Sequence, residues 1–512
     1  MMAPPAAGTE GRERYWLTRF LFLRLLGLIY AVAFLVLVNQ GRPLIGADGL
    51  LPARQYLDRI AQEFEDPQSA FLALPTLFWM NASDRFMVGV AYAGLAGSVV
   101  VLAGFANVPL LALLWFTYLS FCHIGQLFWG YGWESLLLET GFLAIFMVPT
   151  LSLNPFPGRV PPPKPLIWLV RWVLFRVMLG AGLIKIRGDS CWRDLTCMMY
   201  HYQTQPLPNP LSWYLHHLPG AFHRFEVLFN HFVELIVPWT LFAPRGVRHV
   251  GGLFLVAFQL LLIASGNLSW LNWLTLTLCV ACFDDAALAR LFPTRLRARL
   301  ATYADVPSGS RRVVSYGLTA LVAYLSVYPV LNMLSPRQAM NASFDPWQIV
   351  NTYGAFGSVG RTRPEVIIEG TNDDPTDPAA RWVEYEFKCK PGSVARRPCV
   401  IAPYQYRIDW QIWFAAMSDY LHNPWLVHFV YQLLRGEPRA RGMLANDPFP
   451  TGPKYIRAEL YEYEFTPWGE SSGNWWVRRR VDEYLPPLSR DNPELLNFLR
   501  HFGWLSGTEA RR

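Results

Sequence analysis

Three cations interrupt an apolar run in which charge is expensive. Residues 166–186, LIWLVRWVLFRVMLGAGLIKI, are long enough at about 1.5 Å per residue to cross a bilayer, yet they carry Arg171, Arg176 and Lys185. A charge at mid-membrane costs about 2.5–3.5 kcal/mol on insertion scales, so all three are expected to face protein rather than lipid. At 3.6 residues per turn, Arg171 and Lys185 return to within about 40° of one face, and Arg176 points roughly the other way. That places this helix at the centre of a bundle. Acidic residues in other apolar runs are the candidate partners of Lys185: Glu134 and Glu139 in 134–149, and Glu234 in 225–242. Lys185 carries two readings. Desolvated, it could act as a base; paired with a carboxylate or snorkelling to the interface, it is structural.

A second constellation is the stripe Glu226, Asn230 and Glu234 at i, i+4 spacing, with His231 three residues before Glu234. His-x-x-Glu can ligate a metal, but a di-metal bundle needs matching acidic positions on other helices, and the sequence has no second Glu-x-x-His. A buried hydrogen-bond network joining Glu134, Glu139, Arg171, Arg176, Lys185, Glu226, His231 and Glu234 is the expectation, with no metal. His123 and Gln126, three apart, read as similar polar packing. Histidines 201, 216, 217 and 223 lie near Cys191 and Cys197, but their dispersed spacing fits a zinc knuckle poorly. Cys191/Cys197 and Cys389/Cys399 form two local pairs in polar segments, as disulfides do in an oxidising compartment. For Cys191 and Cys197 a redox pair beside Arg187 and Arg193, or two quiet thiols, stay open. Cys122, Cys279 and Cys282 sit in apolar runs as small hydrophobes. No G-x-S-x-G elbow, Walker loop or H-E-x-x-H occurs, so an obvious hydrolase is excluded.

The elements that must hold these residues follow from composition. The chain is 52% hydrophobic and only 16% charged, on the membrane side of ordinary usage. Its net charge of +7 comes from scattered Arg, without the dense patch that nucleic acid attracts. Nine candidate spans emerge, at 17–38, 86–105, 108–129, 134–149, 166–186, 225–242, 250–264, 268–283 and 313–334. Arg and Lys gather on the N-terminal side, above all at Arg290, Arg295, Arg297, Arg299, Arg311 and Arg312, which puts the N-terminus in the cytoplasm. The sequons at Asn81 and Asn341 then fall on the opposite side as candidate glycosylation sites, with Asn267 too near the membrane to be modified. Residues 1–16 read as a cytoplasmic tail, and 17–334 as a transmembrane helical domain with lumenal loops 39–85 and 187–224. Residues 335–512 read as a lumenal α+β domain with an antiparallel sheet, a β-sandwich being one form of it. EVIIEG, RWVEYEFKC and IRAELYEYEF alternate as strands do, whereas WQIWFAAM, WLVHFVYQLL and ELLNFLRHF look helical. Trp410, Trp413, Phe414, Trp475 and Trp476 are candidates for a client-binding patch, against the reading that each is core.

Several stretches in order carry a resemblance: GLLPAR (49–54), WESLLLETGFLAIF (133–146), LVRWVLFRVMLGAGLIK to YHYQTQPLPNP (169–210) and SGNLSWLNWLT (265–275). In the last third they are VNTYGAFGS (350–358), YEFKCKPG (385–392), YRIDWQIWFAA (406–416), NPWLVHF (423–429) and GNWWVRRR (473–480). The sequence resembles the lipase maturation factor family along nearly its whole length, closest to the type required for lipoprotein lipase maturation. The resemblance implies a multi-pass endoplasmic reticulum membrane protein with no cofactor, assisting folding and dimer assembly of secreted homodimeric lipases. Its implied partners are the bilayer, immature lipases, and lumenal chaperones and oxidoreductases. A bacterial source would place the same topology in the inner membrane, with the last domain in the periplasm. The alternative is an integral-membrane enzyme with a transmembrane fold like that of vitamin K-dependent γ-carboxylase, using Lys185 as base.

Overall fold

A computed structural model describes residues 13–158, 160–303 and 308–505. The expected cytoplasmic tail, 1–16, lies outside the described residues up to residue 12. Six helices are long and apolar enough to cross a membrane: Trp16–Ile45, Asp84–Ala103, Lys164–Arg187, Gly220–Phe242, Arg245–Ser265 and Gly309–Leu334. Three further apolar segments fold as shorter helices. Val108–Ile124 ends in the 3₁₀ turn Gln126–Trp129, and Leu271–Cys279 runs into the 3₁₀ turn Val280–Cys282. Gly132–Ile145 has 14 residues, about 21 Å of helix, and is enclosed by protein on almost every side. All nine expected spans are therefore helices, of which six have the length to cross alone.

Lys164–Arg187 is the most enclosed of the long helices, with Arg171, Arg176 and Lys185 all buried. The periphery shows the opposite pattern. Phe225, Leu228, Phe232, Ile236 and Trp239 form an exposed apolar row along Gly220–Phe242, as a lipid-facing surface requires. Trp16–Ile45 packs along Asp84–Ala103 at close range. A Cβ on Gly27 would lie 2.6 Å from the backbone nitrogen of Leu102, so only glycine admits that approach.

Beyond residue 334 the chain forms one four-stranded antiparallel sheet, in the order β2 (Val383–Glu384), β1 (Arg363–Thr371), β3 (Tyr455–Phe465), β4 (Trp476–Ser489). β1 pairs with β3 from Arg363↔Tyr463 to Thr371↔Tyr455. Among the described residues no second sheet faces it, so the sandwich form of the expectation is replaced by helix-on-sheet packing. One face, with Val366, Ile368, Ile456 and Leu485, joins the core that holds the helices Arg407–Ala415 and Pro424–Leu434. The other, with Ile367, Tyr463 and Phe465, packs on Tyr202, Trp213 and Leu215 from the segment after the central helix. Only Val383–Glu384 of the expected strand RWVEYEFKC pairs in the sheet. Asp409 draws the rest away by accepting the N–H groups of Cys389 (2.6 Å) and Lys390 (3.0 Å).

The helical half and the sheet half share a single hydrophobic core. The 39–85 connection, which contains the helices Ala53–Ala61 and Pro67–Ala73, reaches across to it. The buried His428 ring bonds through Nδ1 to the Leu50 carbonyl at 2.9 Å and stacks on Trp504. Burial lowers its pKa to about 4. An unfolded chain protonates this imidazole below about pH 6.5 and the folded one does not. Stability from His428 is thus fully present above about pH 6.5 and falls by about 1.4 kcal/mol per pH unit on the way to pH 4. Replacing His428 with Gln, which does not titrate, is expected to remove about 2 kcal/mol of the stability difference between pH 6.5 and pH 5. Denaturant unfolding of the purified chain at the two pH values measures this. An unchanged difference would show that the ring is not neutral in the fold.

Candidate functional site

Buried ions cluster at three places on the inner helices, and two of them are completed from beyond residue 335. The first joins Arg176 to Glu139. The guanidinium forms an ion pair with the carboxylate, and Nη1 donates to the Asn351 carbonyl at 2.6 Å. Glu139 Oε2 also accepts from the Tyr353 hydroxyl at 2.6 Å and the Asn351 N–H at 3.1 Å. Trp172 and Tyr353 flank the guanidinium.

The second joins Glu134 to Arg407, at the start of the Arg407–Ala415 helix. Nη1 lies 2.5 Å from Glu134 Oε1 and 3.0 Å from the Phe128 carbonyl, and the Tyr118 hydroxyl donates to the other carboxylate oxygen. Trp129 and Trp270 lie over the cation at 4.7 and 5.1 Å. Gln40, on the first helix, accepts the Arg407 backbone N–H at 2.8 Å.

The third joins Lys185 to Glu234 at 2.5 Å, with Asn230 Oδ1 3.0 Å from the ammonium and Asn230 Nδ2 donating to Glu234 at 2.9 Å. Glu234 rides on a π-helical turn, Phe232–Ile236, inserted between α-helical Gly220–His231 and a 3₁₀ end. One extra residue in that turn rotates the helix beyond it, a device common where a side chain must be aimed. Of the three carboxylates considered for Lys185, the fold selects Glu234. Held between Glu234 and Asn230, the Lys185 ammonium is placed as a structural partner of the pair.

The remaining candidates do not join these clusters. Arg171 meets no carboxylate among the described residues; it donates to the Ala281 carbonyl at 2.8 Å and to the Tyr15 hydroxyl at 2.9 Å. Glu226 instead accepts from the Tyr202 hydroxyl at 2.5 Å and faces His223 Nδ1 at 2.9 Å. His231 Nε2 donates to the Trp192 carbonyl. His123 and Gln126 bind the carbonyls of Pro346 and Leu51 separately. His201 packs edge-on to Phe356, and His217 Nδ1 donates to the Trp213 carbonyl. Cys191–Cys197 and Cys389–Cys399 are disulfides, with Cα–Cα distances of 4.8 and 5.5 Å. Of the aromatic candidates, Trp410 and Trp476 are core residues, packed on Trp133 and Phe465, and offer no surface. Trp413 and Trp475 are half-buried, and Phe414 is exposed. Asn81 and Asn341 lie at the surface.

Two family models cover most of the chain. The lipase maturation factor transmembrane domain matches residues 17–290, and the lipase maturation factor C-terminal domain matches residues 349–486. Lipase maturation factor 1 of Bos taurus is 47% identical over 96% of this chain and 93% of its own length. The chain belongs to the lipase maturation factor family. The Homo sapiens lipase maturation factor 1 is 46% identical over 96% of this chain and 90% of its own length. Homo sapiens lipase maturation factor 2 is 31% identical, over 95% and 85%. No solved structure matches.

In this lipase maturation factor the Glu134–Arg407 ion pair and the hydrogen bonds of Asn351 and Tyr353 to the Arg176–Glu139 pair therefore link the two matched regions. Sequence reasoning missed a fourth buried cluster. Arg363, at the start of β1, pairs with Glu365 and donates to the carbonyls of Gln203 (2.8 Å), Gln205 (2.5 Å) and Pro206 (2.9 Å). Lys390 closes it with a 2.8 Å contact to Glu365. The guanidinium thus caps the end of the helix Met198–Thr204, whose carbonyls have no further turn to bond. Asn267, read as a sequon, is buried as well. Its amide accepts from the Ile401 (2.9 Å) and Ala402 (3.2 Å) N–H groups and donates to the Cys399 carbonyl (2.9 Å). A loop of Gln, Pro and Asn rich in free carbonyls, and an arginine opening a strand, were the available signals for these contacts.

Proposed function

We propose that this protein is an endoplasmic reticulum membrane factor that assists folding and dimer assembly of secreted homodimeric lipases of the lipoprotein lipase type. The observation that carries the reading is the near-full-length likeness to proteins named lipase maturation factor 1. Two further features support it. Local disulfides close both Cys191–Cys197 and Cys389–Cys399, as suits an oxidising compartment. The surface sequons Asn81 and Asn341 lie on the same side of the expected topology as both bridges.

In this reading the N-terminus is cytoplasmic, loops 39–85 and 187–224 are lumenal, and residues 335–512 form the lumenal region. The Glu134–Arg407 pair and the hydrogen bonds of Asn351 and Tyr353 to the Arg176–Glu139 pair then have a mechanical role: they lock that region onto the helices so that its outer surface is presented to clients in one orientation. Phe414, Trp413 and Trp475 are the client contacts we assign. Lumenal chaperones and oxidoreductases would act beside it.

Co-expression with lipoprotein lipase in cells lacking the endogenous factor tests the proposal. Secreted lipase activity per unit of secreted mass is expected to rise at least about tenfold over empty vector, with little change in lipase synthesis. Equal specific activity with and without the factor would refute it.

A further inference from the structure

Two cavities lie one after the other along the last membrane helix, where it meets the central helix. Along Gly309–Leu334 one stripe, Ser315, Thr319, Val322, Ser326 and Val330, returns every three or four residues to face the Lys164–Arg187 helix, which answers with Leu169 and Trp172. Between Leu169, Trp172, Val322 and Val330 lies an outward-opening cavity of about 470 Å³, almost wholly apolar, with Trp172 Nε1 donating to Ser326 Oγ at 2.9 Å on its floor. A second cavity, of about 180 Å³, lies along the same stripe at the end toward Lys164 and is lined by Lys164, Arg312, Arg14, Ser315 and Tyr316.

The charges at that end are unbalanced. Lys164 and Arg312 are exposed and meet no carboxylate among the described residues. Glu13, the acid in the cavity wall, is committed to Arg248 at 2.9 Å and to the Tyr15 hydroxyl. Arg14 donates to the Leu300 and Tyr303 carbonyls. From Arg312 in the one cavity to Ser326 in the other the helix rises about 21 Å, more than the roughly 15 Å of one leaflet's hydrocarbon.

We propose that the two cavities together form a binding site for an anionic glycerophospholipid, its phosphate between Lys164 and Arg312 and one acyl chain along Leu169, Trp172 and Val322. An apolar trough open to lipid cannot stay empty in a bilayer, and a basic pocket at its headgroup end selects negative charge over zwitterions. In the orientation proposed above this end meets the cytoplasmic leaflet, where anionic lipid is concentrated. Binding itself needs only the two cations and the trough, so its outcome is independent of lipase maturation.

Native mass spectrometry of the delipidated full chain in non-ionic detergent, titrated with dioleoyl phosphatidylserine or dioleoyl phosphatidylcholine, tests the site. Phosphatidylserine is expected to be retained about tenfold more strongly, and Lys164→Ala with Arg312→Ala to abolish that preference. Both side chains are exposed, so the double variant is expected to fold; Arg295→Ala with Arg297→Ala is the control for general charge and should keep the preference. Ala323→Trp, which fills the trough, is expected to lower retention of both lipids. Glycerophosphoserine, the headgroup without tails, should not be retained. Equal retention of the two lipids, a preference that survives loss of Lys164 and Arg312, a preference lost equally in the control, or tail-less headgroup bound as well as lipid would each overturn the proposal.

Discussion

Replacing Arg407 with Met is expected to destabilise the folded protein by about 3–5 kcal/mol, because it strands a buried carboxylate. Glu134 is 1% exposed, and without the guanidinium it loses its one counter-ion among the described residues and is left with neutral donors such as the Tyr118 hydroxyl. Adding Glu134→Met should restore more than half of the loss. A desolvated ion pair replaced as a unit by apolar side chains is often neutral, so the coupling between the two sites should be large and favourable. Denaturant or proteolysis midpoints for the four proteins of this cycle give the answer. An Arg407→Met variant within about 1 kcal/mol of wild type would mean that the pair is not held dry.

Ending the chain at Ser335 is expected to reduce accumulation of the helical half at least about tenfold. Truncation removes Arg407 from Glu134, and it strips Asn351 and Tyr353 from Glu139 and Arg176. One stranded buried carboxylate at about 3–5 kcal/mol, with a buried pair stripped of its hydrogen bonds to Asn351 and Tyr353 at about 1 kcal/mol each, takes a large part of the whole stability of a typical protein, about 5–15 kcal/mol. Pulse-chase half-life of truncated against full-length chain, both scored for membrane insertion, is the measurement. A truncated chain as long-lived as the full one would show that the helices fold independently of the sheet half. Loss of lipase activation on such a truncation therefore reports on stability before it reports on a client surface, and substitutions at Phe414 or Trp475 discriminate better.

How much was legible in the sequence depended on whether the information was local. The apolar runs were readable, since length and hydropathy are properties of a segment, and the inward orientation of Arg176 and Lys185 followed from the cost of showing charge to lipid. Their partners were not. Glu134, Glu139 and Glu234 were equivalent as candidates for Lys185, and only packing assigns Glu234 to it, aimed by a π-helical turn with no sequence mark. Arg407 sits within YRIDWQIWFAA, a stretch that reads as an ordinary helix start; its importance comes from Glu134, far away in the chain. The sheet was visible in EVIIEG and IRAELYEYEF, whereas RWVEYEFKC has strand composition but is bent away by Asp409. Trp410 and Trp476 show the same limit. An aromatic side chain reads alike whether it faces a client or a neighbouring helix.

Residues enter the membrane in the order they are made, and that order has a cost here. Arg407 reaches the ribosome exit 273 residues after Glu134, and Asn351 comes 212 after Glu139. For most of translation, then, Glu134 has no counter-ion, and Glu139, though paired with Arg176, lacks the donors that complete its site. This protein, which we assign to the finishing of other polypeptides, cannot itself be finished until its own last third arrives.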